Sequence, residues 1–138
     1  MKMVDLMTQI EWNEGLSLGV EKIDKQHMRL IELANKLIAA THNAIPIDIA
    51  GTFHEFREYT VYHFNDEEEY MRDIHYPDLE KHAQQHVELK KQVKHFQDVV
   101  YRHGVISEDE VLEFLKNWLI GHIIQNDLAI KQFLATQR

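Results

Sequence analysis

Within the stretch YHFNDEEEYMRDIHYPDLEKHAQQH (residues 62–86), His63 stands four residues before Glu67, and His82 stands four residues before His86. A separation of four on an α-helix puts two side chains on one face, one turn apart, so each pair can aim both groups at a single target. Imidazole and carboxylate aimed together are metal-ligand chemistry. Two such pairs, on two helices joined by a tight turn at Tyr76 and Pro77, make half of a site. The chain has no cysteine, which removes disulfides, thiolate zinc sites and iron–sulfur clusters, so a metal here must be held by histidine, carboxylate or water. Ten histidines in 138 residues are then the unusual feature of the composition.

The elements that must position these groups are helical. Two prolines and five glycines punctuate the chain, and no segment alternates with period two for long enough to make a sheet. Apolar residues recur at spacings of three and four in four stretches, predicting helices over 20–41, 48–72, 77–102 and 107–134. His27 falls on the apolar face of the first, between Ile23 and Leu30. His63 and Glu67 share the inward face of the second with Phe53, Phe56 and Thr60, and His82 and His86 share that of the third with Leu89 and Val93. The fourth carries Trp118, Leu119 and His122 inward. Asp48 is the expected N-cap of the second helix, Pro77 opens the third, Gly104 stops it, and Ser107 with Glu110 forms a capping box for the fourth. Residues 1–19 lack helical periodicity and read as an extended arm over the bundle, with Trp12 plugging the core. Short connections give an all-α, up-down-up-down antiparallel four-helix bundle, one domain spanning 1–138.

Fifteen Lys and Arg against 23 Asp and Glu give a net charge of −8, which repels phosphate backbones and anionic membrane surfaces and argues against a nucleic-acid partner. No apolar run is long enough for a membrane span or a leader peptide, so the expected location is the cytoplasm, with no membrane partner.

In a bundle of alternating direction, seam residues meet only if they lie at the same height. At a rise of about 1.5 Å per residue, His27, His63, Glu67, His82, His86, His122 and Asp127 all fall between about 6 and about 18 Å from one end. His54 and His95 are each nine residues from a seam histidine, half a turn away, and are expected on the surface. His42, His75 and His103 sit at helix ends or loops. A single histidine on an apolar seam is more often a hydrogen-bonded core residue than a ligand. Five imidazoles and two carboxylates at one level, with no Arg or Lys on the same seams, require a cation, because an unpaired buried charge costs several kcal/mol.

Seven donors exceed the four of a tetrahedral zinc and suit two ions. Two carboxylates can each span a pair of ions, and five imidazoles then divide three and two, so the ion with fewer keeps an open position. An imidazole-rich site with an open position suits iron, copper or zinc, and redox-active iron with an open position points to dioxygen. Few anionic donors favour reversible binding over oxygenation.

The segments GVEKIDKQH (19–27), HFNDEEEYM (63–71), HAQQH (82–86) and WLIGHIIQND (118–127) together resemble the hemerythrins, specifically bacterial hemerythrin domains, over nearly the whole chain from Trp12. The resemblance implies a non-haem, oxo- or hydroxo-bridged pair of iron ions. It implies that His82, His86 and His122 bind one iron, His27 and His63 the other, and that Glu67 and Asp127 bridge. It implies dioxygen as the ligand of the two-histidine iron, and it places Phe64, Trp118 and Leu119 in an apolar pocket wall that excludes water. For Trp118, plain core packing stands beside that pocket role.

His122 and Asp127 are five residues apart, 140° from a shared face on a regular helix. A π-bulge or local widening between Gly121 and Asp127 is therefore expected. The leading function is dioxygen binding without catalytic turnover, as an O2- or redox-sensing input domain fused to or partnered with a signalling output domain. The alternatives are a stand-alone carrier, a di-iron oxidase or peroxidase, and iron storage. An enzyme needs a general acid near the open iron, and none is placed on the seam beside Trp118 and Leu119. The last helix has no Gly or Pro stop after Phe133, which suits continuation into an output domain.

Overall fold

The structure, a computed structural model, describes residues 9–43, 46–103 and 107–137. They form an up-down-up-down antiparallel bundle of four helices: α1 (Glu21–Asn43), α2 (Pro46–Asp73), α3 (Leu79–His103) and α4 (residues 108–136). Each predicted helix is present with ends shifted by one or two residues. Asp48 lies inside the first turn of α2 instead of capping it. Gly104, expected to stop α3, lies outside the described residues. Ser107 does cap α4, its hydroxyl oxygen accepting from the Glu110 amide at 3.1 Å while its hydrogen goes to Glu110 Oε1 at 3.0 Å.

The turn between α2 and α3 is made one step earlier than its proline suggests. The Tyr76 amide bonds to Met71 O at 2.9 Å and the His75 amide to Arg72 O at 3.1 Å, the paired bonds of a Schellman motif. The motif needs a left-handed residue, and His75 takes that place at φ 57°. Such a conformation costs a non-glycine residue about 1–2 kcal/mol; here Tyr76 and Met71 offset it by packing together in the core. Pro77 and Asp78 follow in a further turn, closed by the Leu79 amide bonding to Tyr76 O at 3.3 Å, and α3 starts at Leu79, so Pro77 lies in the turn and does not open the helix.

Helix α4 is not regular. It runs as α-helix over Glu108–Leu115, opens to π-helix over Lys116–Ile120 and again over Ile123–Asp127, and closes to α-helix over Leu128–Thr136. The second opening is the one that the five-residue spacing of His122 and Asp127 demands. The first was not anticipated, because no spacing conflict marks it.

Of the arm, residues 9–19 are described. Ile10, Leu16 and Leu18 are buried, and the arm is fastened at both ends. Asn35 exchanges two hydrogen bonds with the Ile10 backbone, each 2.8 Å, and Asp24 accepts from the Leu18 amide at 2.8 Å and the Ser17 hydroxyl at 2.6 Å. Trp12 is half-buried against the core, a cover and not a plug, with its indole N–H donated to Glu14 at 3.1 Å.

The apolar interior is divided. A long cluster holds Leu30, Leu37, Phe53, Phe56, Phe64, Val93 and Leu115, and a short one holds Leu18, Ile23, Met71, Tyr76 and Ile130. On every helix the boundary between the two is crossed at a polar residue: His27 between Ile23 and Leu30, Glu67 between Phe64 and Met71, Asp127 between Ile123 and Ile130, and His82 and His86 between Leu79 and Leu89. The polar layer is thus sealed at both ends by hydrocarbon.

Candidate metal centre

All seven seam residues reach that layer, and all are buried, His122 the most accessible at 7%. α1 brings His27, α2 brings His63 and Glu67 one turn apart, and α3 brings His82 and His86 one turn apart. The widened turn of α4 brings His122 and Asp127 to one point, with His122 Nε2 3.0 Å from Asp127 Oδ1. Glu67 Oε1 lies 3.0 Å from Nε2 of both His82 and His86. Glu67 Oε2 lies 3.4 Å from His27 Nε2 and 3.5 Å from His63 Nε2. Asp127 divides in the same way, with Oδ1 2.9 Å from His82 Nε2 and Oδ2 3.0 Å from His27 Nε2. Two ligand clusters result: Glu67, His82, His86, His122 and Asp127 form one, and His27, His63, Glu67 and Asp127 form the other. Each carboxylate belongs to both. His54, His75 and His95 are exposed and lie outside either cluster, and the exposed His42 instead meets Glu108 at 2.8 Å.

The rings are oriented from behind. Gln26 donates its amide N–H to Asp66 Oδ2 at 2.8 Å, which turns Gln26 Oε1 towards His63 Nδ1 at 2.7 Å. An amide oxygen only accepts, so His63 Nδ1 carries the hydrogen and the neutral ring has a bare Nε2. Glu68 Oε2 accepts from His86 Nδ1 at 2.8 Å and Asn126 Oδ1 from His122 Nδ1 at 2.9 Å. Three imidazoles are thereby locked with their remaining nitrogens facing carboxylate oxygens. Gln26, Glu68 and Asn126 were missed from sequence, although each lies beside a site residue or four residues from one.

Two lone-pair carriers facing each other at these distances repel unless a cation stands between them. Six buried atoms show the effect: His27 Nδ1 and Nε2, Glu67 Oε2, His122 Nε2 and both Asp127 oxygens have no hydrogen-bond partner. Five of the six converge within the short distances given above, but not in hydrogen-bonding geometry. Converging, unsatisfied nitrogen and oxygen donors are what a metal ion takes up.

Without a metal ion, protons do part of this work. Burial opposes charge on His27, but the adjoining carboxylates of Asp127 and Glu67 outweigh it and push its pKa up to about 10. His82 is pushed up to about 9 by the same opposition of burial and the same two carboxylates. His63 goes the other way, down to about 4, because burial dominates. Burial alone would raise Glu67 and Asp127, yet the surrounding imidazoles hold both below the ordinary carboxylate range.

Beside His27 and His63 lies a cavity of about 10 Å³, walled by Leu30, Phe64, Leu89, Trp118, Leu119 and Ile123. Phe64, Trp118 and Leu119 are the wall residues read from sequence. Leu30 and Leu89 were not, although each follows a site histidine by three residues on the same face. Trp118 is fixed by its indole N–H, donated to Leu89 O at 2.9 Å, and Phe64 stacks on His86 with ring centres 3.9 Å apart.

Residues 18–134 match the family model described as the Hemerythrin HHE cation binding domain. The chain belongs to the hemerythrin family. It is 32% identical to the bacteriohemerythrin of Clostridium acetobutylicum, an alignment covering 84% of this chain and 94% of the relative. Identity to the bacteriohemerythrin of Stenotrophomonas maltophilia is also 32%, over 89% and 80%. A crystal structure of a hemerythrin point mutant superposes with a TM-score of 0.80 over 89% of this chain and 95% of that one, at 23% identity, which bears on the fold. The hemerythrin cofactor is a di-iron centre and the family generally binds dioxygen there. The buried donor set of this chain fits that cofactor. No helix among the described residues is long and apolar enough to cross a membrane.

Proposed function

We propose that this hemerythrin binds dioxygen reversibly, without catalytic turnover, and uses the binding to sense oxygen or redox state as the input of a signalling output domain. His82, His86 and His122 would hold one iron, His27 and His63 the other, and Glu67 and Asp127 would serve both. When bound, the iron pair supplies the electrons and the coordination position that dioxygen requires. The chain supplies the rest: Gln26, Glu68 and Asn126 orient imidazoles, Glu67 and Asp127 balance charge, and Phe64, Trp118 and Leu119 keep water from the dioxygen position.

The observation that carries this reading is the lining of the small cavity. Its polar members, His27, His63, His122 and Asp127, are all assigned to iron, and the rest are hydrocarbon or indole carbon. No side chain in that lining is left over to act as general acid or to bind an organic substrate. Support for sensing comes from α4, which carries His122 and Asp127 on its widened turn and runs on to Thr136. A helix that can hold one extra residue per turn at the site has a register that ligand binding can bias.

The test is optical and structural together. The iron-loaded protein should bleach when oxygen is removed and recolour when it is returned, over repeated cycles, and spin labels on α4 beyond Leu128 should shift between the two states. Recolouring with an unmoved α4 identifies a carrier. A single irreversible conversion, or steady consumption of oxygen with a reductant, contradicts reversible binding and favours an oxidase or peroxidase.

A further inference from the structure

The site histidines are not held from behind by the same chemistry. His63 donates to an amide, Gln26, and His122 donates to an amide, Asn126, whereas His86 donates to a carboxylate, Glu68 Oε2, at 2.8 Å. The Asp66 charge behind Gln26 is already shared with Lys22 at 3.3 Å. The Glu68 carboxylate lies against His86 itself, and the flat stack of Phe64 on His86, 5° between planes, fixes the ring in that line. An imidazole whose N–H is given to a carboxylate is a stronger donor at its other nitrogen than one held by a neutral amide.

We propose that Glu68 is a positioning and tuning residue: through His86 it makes the His82, His86 and His122 side of the centre the more electron-rich and the more tightly held. The inference rests on the two-iron assignment above. It gives the centre a built-in asymmetry in which the side next to the dioxygen cavity, with His63 held by an amide, is the weaker donor.

Glu68→Gln keeps size and an accepting oxygen but removes the charge. In the full chain loaded with iron, it should release iron to a chelator 10–100-fold more readily, the usual consequence of losing such a partner. Its midpoint potential should rise, by about 59 mV for each tenfold preferential weakening of ferric over ferrous binding in a one-electron step. Asn126→Asp, which puts a carboxylate behind His122, should shift the midpoint the opposite way and decides the matter if Glu68→Gln folds poorly. An unchanged melting temperature of iron-free Glu68→Gln, alongside a raised midpoint, separates tuning from damage to the fold. Wild-type retention and midpoint in both variants would overturn the role of Glu68 while leaving the centre intact. A wild-type chain that binds no iron would overturn the assignment beneath it.

Discussion

Helices α3 and α4 each deliver two side chains to the same layer, by opposite means. α3 stays regular and spends a spacing of four, so His82 and His86 stack one turn apart without any adjustment of the backbone. α4 has a spacing of five and must open to π-helix over Ile123–Asp127 to bring Asp127 beneath His122. The first arrangement is a local property of sequence, available to any helix with that spacing. The second exists because packing on both sides, Ile123 in the long cluster and Ile130 in the short one, holds the opened turn in place. A widened turn is tolerated where the surrounding structure fixes it, and it marks functional sites for that reason.

The comparison can be broken at either helix. Inserting one alanine between Gln84 and Gln85 would give α3 the spacing of α4 without its widening, turning His82 and His86 140° apart. Iron binding should be abolished, read by metal analysis of the purified protein; retained iron would show that spacing does not set the site. Deleting Gln125 would give α4 the spacing of α3. His122 and Asp127 would then share a face of a regular helix, so the π-opening should close while Leu128–Thr136, which keep their phase to Asp127, leave Ile130 in the short cluster. Iron content and denaturant unfolding should stay near those of the parent. Loss of iron from this variant would show that the widened turn places the two side chains in a way that a regular turn cannot.

The pH dependence of the iron-free protein sharpens the picture further. His27 and His82 have folded pKa values of about 10 and about 9, above the unfolded value of 6.5. Their contribution is complete below 6.5 and is lost as pH rises through 9 to 10. His63 is depressed to about 4, so its contribution is present above 6.5 and fades as pH falls towards 4, where the lowered carboxylates Glu67 and Asp127 act in the same direction. Melting temperatures of chelated protein should therefore fall on both sides of neutrality. Iron should flatten the alkaline limb, since ligand imidazoles are neutral; a flat iron-free profile between pH 7 and 10 would contradict the proton accounting. Smaller still is Trp118→Phe, which keeps an aromatic ring but removes the indole N–H bond to the Leu89 carbonyl, whose helical bond remains. It should cost about 0.5–1.5 kcal/mol and hasten loss of oxygen-binding competence, measured as the autoxidation rate.

Four helices, their inward faces and six of the seven polar seam residues were legible from period and height, whereas Asp127 was legible from its height and from the resemblance to the hemerythrin pattern. So was the widened turn at Ile123–Asp127, since its spacing contradicts a regular helix. The opening at Lys116–Ile120 has no such contradiction within it and could not be read. The acceptors Gln26, Glu68 and Asn126 were illegible for a different reason: an amide or carboxylate beside a site residue is common on a solvated face, and only the packed bundle decides that it bonds to a ring nitrogen. His75 at φ 57° is similar, because the Schellman turn that demands it forms only once Tyr76 packs against Met71.

The central claim is that one layer of seven side chains holds two iron ions through two shared carboxylates. Iron content per chain tests it most directly, measured for the wild type, Glu67→Ala, Asp127→Ala and the surface control His54→Ala. Two irons in the wild type and the control, with loss of the pair in both carboxylate variants, is the predicted result. Equal iron in all four proteins would contradict it.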